Sequence, residues 1–307
     1  MSRLRISAIS FLNTAPLMWD FEHGERAAEP RKEFEIRYTV PSLCAEALRR
    51  GEADIGIIPA ITYQTIPDLV IIPNVAIAAR GPVRSILLIS KIPIPQIRSV
   101  AVDTSSRTSV ALLQILFRNG WLQPETKSET TQEKSQITNH KSQIAEHDLP
   151  HFVPCAPDLP QMLSAHDAAL LIGDSALRVD RSQYHVVDLA EAWQRATGKP
   201  FVFAFWAVRQ AALKDHPDAG RIAAIFQQSR DHGLEHSEDI AAQWAPRVGI
   251  NAASAAEYLR QSISYMLDAD ALAGLGEFFA LAQQFAMIPE NKPLEFINGS
   301  RAAQPAR

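Results

Sequence analysis

The sequence predicts an α/β protein of two domains, one inserted into the other, joined by a two-strand hinge with a cleft between them. Three observations point there. The first 60 or so residues alternate short β-like runs with helical stretches, the mark of a mostly parallel sheet. Two continuous apolar runs, 85–90 and 201–208, stand about 115 residues apart and enclose a strand–helix unit of their own. Beyond the second run the chain reads as helical almost to its end. A length of 307 residues suits two cores of about 150 residues each. The host domain is expected to comprise 1–85 with 205–298, and the inserted domain 86–204.

Residues 4–9 read as a strand that ends in the polar loop Ser10-Phe11-Leu12-Asn13-Thr14, after which Pro16 suits the first turn of a helix. Residues 35–40 alternate charged and apolar side chains and form a second strand. Ser42 is placed to cap a helix over 43–50, which Gly51 stops. Residues 54–58 are a short apolar strand that Pro59 prevents from simply continuing. Within the inserted unit, 100–103 reads as a strand, 104–108 as a hydroxyl-rich turn and 109–117 as a helix. Residues 168–172 form a second buried strand, which Gly173-Asp174-Ser175 turns into another helix. Segments 218–232, 237–244, 252–267 and 269–287 carry apolar residues at helical spacing and form a cover for the host domain. Residues 125–148 are almost wholly polar and contain Lys-Ser-Gln-Ile twice, at 134–137 and 141–144. Two isolated isoleucines cannot offset the entropy of ordering such a stretch, so a mobile insertion is expected there and a disordered tail over 299–307.

Composition excludes several function classes. Hydrophobic residues make up 47% and charged residues 21%, ordinary globular usage, so a fibrous or disordered chain is excluded. The net charge of −4 gives no bulk attraction to nucleic acid or an anionic membrane, so neither is an expected partner. Any anion must be held by local donors. Cys44 and Cys155 lie far apart with no second cysteine near either, which fits neither a zinc ribbon nor a disulfide framework. The apolar run near the N-terminus is too short for a signal peptide, and no run is long enough to span a membrane, so a cytoplasmic protein is expected.

The polar clusters share one address, the carboxyl end of a strand: Asn13, residues 59–62, residues 104–109, and Gly173 with Asp174. Ligands bind at that edge of open α/β sheets, where loops vary and helix N-termini present unpaired amides. Thr104-Ser105-Ser106-Arg107-Thr108-Ser109 joins hydroxyls and a guanidinium to a helix start, a combination suited to a carboxylate or phosphate; the same residues equally suit plain helix capping. Asn13 and Asp174 are also ordinary turn and cap residues. Phe203, Phe205 and Trp206 read as core side chains or as a ring-binding wall. His232-Gly233-Leu234-Glu235-His236 matches the H-x-x-E-H zinc pattern, but Gly233 weakens the helix that pattern needs and no third ligand accompanies it, so no metal is expected. The sequence contains neither a phosphate-binding nor a dinucleotide-binding glycine motif, and no cofactor is expected.

Taken in order, Phe11-Leu12-Asn13 with Pro16-Leu17, Asp54-Ile55-Gly56, Ser105 to Ser109, Leu171-Ile172-Gly173-Asp174, and Pro200 to Ala204 with Trp206-Ala207 resemble the chorismate dehydratases of the futalosine route to menaquinone. The likeness runs from about residue 4 to 290, apart from the 125–148 insertion. It implies a periplasmic-binding-protein-like fold of type II and the loss of water from chorismate to give 3-[(1-carboxyvinyl)oxy]benzoate. It also implies Asn13 as the catalytic residue, with Ser85, Ser106, Arg107, Thr108, Ser109, Gly173 and Asp174 holding the dianionic substrate. A neutral amide is a poor Brønsted base, so a substrate carboxylate positioned by Asn13, or Asp174, is an alternative proton acceptor. Two other readings compete: a 1,4-dihydroxy-6-naphthoate synthase-like enzyme of the same route, which would need a cleft histidine, and a non-catalytic organic-anion-binding protein, which would need an export signal or anchor. A ligand-sensing regulator would need a DNA-binding segment, and none is seen.

Overall fold

The computed structural model describes residues 3–23, 32–122, 149–214, 216 and 218–297. The 125–148 insertion and the 299–307 tail fall outside the described residues. The strands are β1 (Leu4–Ile9), β2 (Phe34–Thr39), β3 (Ile55–Pro59), β4 (Leu69–Ala79), β5 (Ile86–Ser90), β6 (Ser99–Asp103), β7 (His151–Cys155), β8 (Ala168–Ile172), β9 (His185–Asp188) and β10 (Phe201–Arg209). They form two five-stranded sheets, in the orders β2-β1-β3-β10-β4 and β7-β6-β8-β5-β9. β1 runs parallel to β2 and β3, and β6 parallel to β7 and β8. β10 runs antiparallel to β3 and β4, and β5 antiparallel to β8 and β9. Each antiparallel strand is the first one laid down after the chain crosses from the other sheet. The almost wholly apolar sequences of β3, β5 and β8 follow from this, because a strand covered on both faces has no solvent side to make polar.

Two expectations are corrected at the crossings. The apolar runs flank the hinge, and their strands, Ile86–Ser90 and Phe201–Arg209, each lie in one sheet, so the connections themselves are the short segments 80–85 and 198–200. β10 pairs with β4 from Phe201 onward, which puts residues 201–204 with the host sheet instead of the inserted domain. Both crossings are fastened to one helix, Leu189–Thr197. Its N-cap, Asp188, is buried, and its carboxylate accepts from Val83 N at 3.1 Å and Arg84 N at 2.6 Å, as well as from its own first turn. Trp193 on the same helix donates to Pro200 O at 3.3 Å.

The principal helices are α1 (Pro41–Arg50), α2 (Arg107–Arg118), α3 (Leu159–Ala165), α4 (Leu189–Thr197), α5 (Ala219–Glu235), α6 (Ser237–Val248), α7 (Ala252–Glu257) and α8 (Ala269–Gln284). α1 begins at Pro41 with Val40 as its cap, so Ser42 is inside the helix; proline's fixed φ suits that first position. The expected helix over 252–267 is shorter, because α7 passes into a π-turn at Tyr258–Ser262 and the chain then extends to pair Ser264 with Ala78. β4, β7, β9, α3 and α4 are additions to the elements read from sequence. α5 continues unbroken through Gly233, where an added Cβ would stand 2.0 Å from the Pro16 carbonyl oxygen; the glycine is there for close packing. His232 Nδ1 lies 2.6 Å from Asp20 Oδ2 and His236 Nδ1 lies 2.9 Å from Asp239 Oδ2, so the two imidazoles of the H-x-x-E-H stretch serve separate carboxylates. Among the described residues no group of three or more His, Cys, Asp or Glu is arranged to hold a metal ion, and no helix is long and apolar enough to cross a membrane.

Candidate active site

The carboxyl ends of β1 and β3 face those of β6 and β8 across the cleft, and four short turns carry the polar residues into it. After β1 the chain forms a 3-10 turn, Leu12–Met18, pinned by Thr14, whose hydroxyl donates to Ile9 O at 2.7 Å and accepts from Phe11 N at 3.2 Å. This fixes Asn13, which is buried. After β6, Asp103 accepts from the backbone and hydroxyl of Ser105 at 2.8 and 2.6 Å and so turns the chain into α2. Ser106 caps that helix by accepting from Ser109 N at 3.3 Å. After β3, Ile61 N donates to Thr108 Oγ1 at 3.2 Å, across the cleft. After β8, Gly173 turns with φ 62°, and its α-carbon faces the Phe11 ring so closely that a Cβ would stand 3.0 Å from it.

Asn13, Thr14, Ser106, Thr108, Ser109 and Gly173 line one cavity of about 50 Å³, walled by Phe11, Pro59, Ile77 and Phe203 among others. Asn13 Oδ1 is buried and has no hydrogen-bond partner. Such an acceptor costs free energy unless something donates to it, which makes it the polar feature most in need of a ligand. Asp174 stands at the edge of this cluster with Oδ1 accepting from Leu12 N at 3.0 Å, and burial pushes its carboxyl up to about 6. Burial likewise raises the Asp103 carboxyl, against the lowering effect of its Ser105 bonds. Past Ser106 a second space of about 690 Å³ opens between the lobes, bordered by Thr62, Thr104, Arg107, Gln114 and Arg118 on its polar side.

The structure therefore brings together Asn13, Ser106, Thr108, Ser109 and Gly173, with Asp174 beside them. Arg107 lies on the larger space, its guanidinium donating to Glu46 of α1 at 2.9 Å. Ser85 is wholly buried; its carbonyl accepts from Gly173 N at 2.8 Å and its hydroxyl accepts from the Tyr258 hydroxyl at 2.7 Å. Phe203 is a cavity wall, whereas Phe205 and Trp206 are core, Trp206 packing at 4.8 Å on Phe226. Sequence reasoning misses Tyr258, which it hides inside an expected regular helix.

A space of about 50 Å³ is far below the ~300–1,000 Å³ of ordinary ligand pockets. The lobes are closed on it, held by Ile61 to Thr108, Leu12 to Asp174 and Glu46 to Arg107. A ring-bearing ligand reaches Asn13 only when they part.

A family model described as menaquinone biosynthesis matches residues 4–148 and 142–284. A chorismate dehydratase of Thermus thermophilus is 27% identical over 272 residues, covering 82% of this chain and 89% of that protein. Among solved structures, a protein from Archaeoglobus fulgidus superposes with a TM-score of 0.67 at 14% identity, covering 93% of this chain and 98% of that one. The periplasmic aliphatic sulphonate binding protein of Escherichia coli superposes with a TM-score of 0.59 at 17% identity, covering 94% of each chain. These two likenesses show the fold, a periplasmic-binding-protein-like pair of α/β lobes.

Proposed function

The chain belongs to the menaquinone biosynthesis family, and from that membership we propose that it is a chorismate dehydratase, a carbon–oxygen lyase that removes water from chorismate to give 3-[(1-carboxyvinyl)oxy]benzoate. The observation that carries this reading to a site is the buried, unpartnered Asn13 carbonyl facing a row of hydroxyls from the opposite lobe, in a chain related to a chorismate dehydratase along most of its length.

In the reaction the C3–H bond breaks and its electron pair enters the ring. The C4–O bond breaks as the hydroxyl leaves, and with one proton it departs as water. The ring becomes aromatic, so the product supplies much of the driving force and the protein has mainly to orient and desolvate. A dianion needs donors. Ser106, Thr108 and Ser109 with the first amides of α2 supply them for one carboxylate, and Arg107 is within the same turn to add charge when it leaves Glu46. Asn13 holds the substrate's other polar edge. Its amide is too weak a base to take the C3 proton, so a substrate carboxylate oriented by Asn13 receives it.

The test is to incubate the purified protein with chorismate and follow the growth of aromatic absorbance, with the loss of one water checked by mass. Asn13→Ala is expected to lower kcat at least about 100-fold, the scale of a lost orienting contact. Chorismate that binds and persists unchanged would make the protein a binding protein and end the enzymatic reading. Asp174→Asn is expected to keep kcat within about tenfold; a loss as large as that of Asn13→Ala would move the proton to Asp174.

A further inference from the structure

We infer that the larger space between the lobes is a second binding site, for a ring-bearing dicarboxylate of the proposed product's class, and that its occupant withholds Arg107 from the small cavity. At about 690 Å³ this space lies within the ~300–1,000 Å³ of ordinary ligand pockets. It is a recess and not a flat face, since Ile61, Thr62, Val102 and Ala111, which line it, are all buried. Its walls come from α2, from the turn after β3 and from Phe285-Ala286-Met287 after α8.

The α2 wall supplies the pattern. Arg107, Val110, Ala111, Gln114 and Arg118 follow helical spacing and form one stripe along the helix. A guanidinium stands at each end of that stripe, about 16 Å of helix apart. Between them the lining is apolar or uncharged, with Phe285 and Met287 on the neighbouring wall. Charge at both ends with apolar surface between complements an elongated dicarboxylate that carries a ring in its middle. The Arg118 guanidinium carbon sits 5.3 Å from the centroid of the Phe285 ring, which sets a cation beside the surface that takes the ligand's ring. Arg107 gives one donor to Glu46 at 2.9 Å; a guanidinium has five N–H groups, so it can hold Glu46 and a ligand carboxylate together. The carboxylate on the wall, Asp103, already accepts from Ser105 N and Oγ at 2.8 and 2.6 Å, so the two guanidiniums outweigh it. Ser106 lines both spaces, and Arg107 is the next residue. Arg107 adds charge to the small cavity only by leaving Glu46, and a dicarboxylate in the larger space gives it a reason to stay. Product held there therefore slows turnover without displacing the substrate.

The effect on rate rests on the chorismate reading; the binding does not, and the experiment separates them. The probe is 3-[(1-carboxyvinyl)oxy]benzoate, titrated into the full-length protein by calorimetry, with benzoate as the singly charged control. Arg118→Gln is expected to weaken one binding event at least about tenfold, the scale of a lost hydrogen bond to a charged group, and benzoate to bind there weaker than the dicarboxylate by a similar factor. Gln114→Trp fills the recess and is expected to abolish the same event, which keeps the test usable should Arg118→Gln fail to fold. With chorismate, added product is expected to lower kcat with KM within about twofold, and Arg118→Gln to relieve that inhibition at least about tenfold. Binding of the probe that survives both variants overturns the inference, as does no binding at all. Purely competitive inhibition that Arg118→Gln leaves unchanged overturns the coupling to Arg107. Wild-type protein that leaves chorismate intact ends the functional reading, while loss or survival of probe binding in the variants still decides the site.

Discussion

Asp174 shows how burial sets a single carboxyl. The desolvation that pushes it up to about 6 outweighs the Leu12 N–H bond and the Arg178 charge, both of which lower it. Because the folded value stands above the ordinary 3.8, this group's contribution to stability is fully present below about pH 3.8 and is lost as the pH rises through about 6. Asp174→Asn keeps an oxygen for Leu12 N and never ionises. Its melting temperature relative to wild type is therefore expected to climb as the pH is taken from about 4 to 7, checked by thermal melts across that range. Cys44 is a contrasting case. It is wholly buried, and burial pushes its thiol up to about 12, which makes it a packing residue in the first lobe. Asn13 and Asp174 are legible in the sequence as polar residues at strand ends. The long-range bonds around them are not, since Leu12 and Asp174 are 162 positions apart, and Tyr258 and the cleft-side Ser85 are 173 apart, distances at which no local pattern links residues.

At the scale of elements, packing decides what spacing leaves open. Gly233 looks like a helix breaker and is instead the point where α5 crosses the Leu12–Met18 turn that carries Asn13. Gly233→Ala would set its Cβ 2.0 Å from the Pro16 carbonyl, a clash between two backbones that no side chain can relieve. It is expected to cost about 3 kcal/mol or more in urea unfolding. Gly120→Ala, with φ 67° but open space around it, is expected to cost only about 1 kcal/mol. The strands the sequence finds are the central ones, β1, β3, β5, β6, β8 and β10, whose apolar runs reflect cover on both faces, and one edge strand, β2, from its alternating charged and apolar residues. β7 and β9 elude it because they are edge strands, short and bordered by polar residues, with Pro154 inside β7. The helix expected over 252–267 keeps its apolar spacing beyond Glu257, but there the residues are buried by the π-turn and the Ser264 bridge to Ala78. Apolar spacing records burial, and several backbones can satisfy it.

Across the whole molecule the closed lobes are held by a few polar contacts around a small cavity, and opening is the step that admits a ligand. The Glu46 to Arg107 pair is the most exposed of these contacts, with Arg107 at 41% and Glu46 at 26% side-chain exposure, so it contributes about 0.2–1 kcal/mol. Glu46→Gln is expected to shift the balance toward the open form by up to about fivefold, read as a faster association of the benzoate product in stopped-flow binding. Its melting temperature should move little, because both sheets and the α4 clamp on the crossings remain. A net charge of −4 is no obstacle to a dianion in this arrangement, since the donors are hydroxyls, helix amides and one guanidinium brought to the cleft, and bulk charge is screened over that distance.

Taken by itself, the sequence determined that the protein has two α/β domains, one inserted in the other, and that the polar residues worth attention lie at strand ends. Both are local facts: apolar runs fix strands, and turn residues fix where the chain leaves them. Only the tertiary structure decided that 201–204 belong to the host sheet, that Arg107 faces Glu46, and that Ser85 lies behind the cavity wall, bonded to Tyr258. Those depend on which distant segments meet, and hydrogen-bond direction and close packing act only once the chain has brought them together.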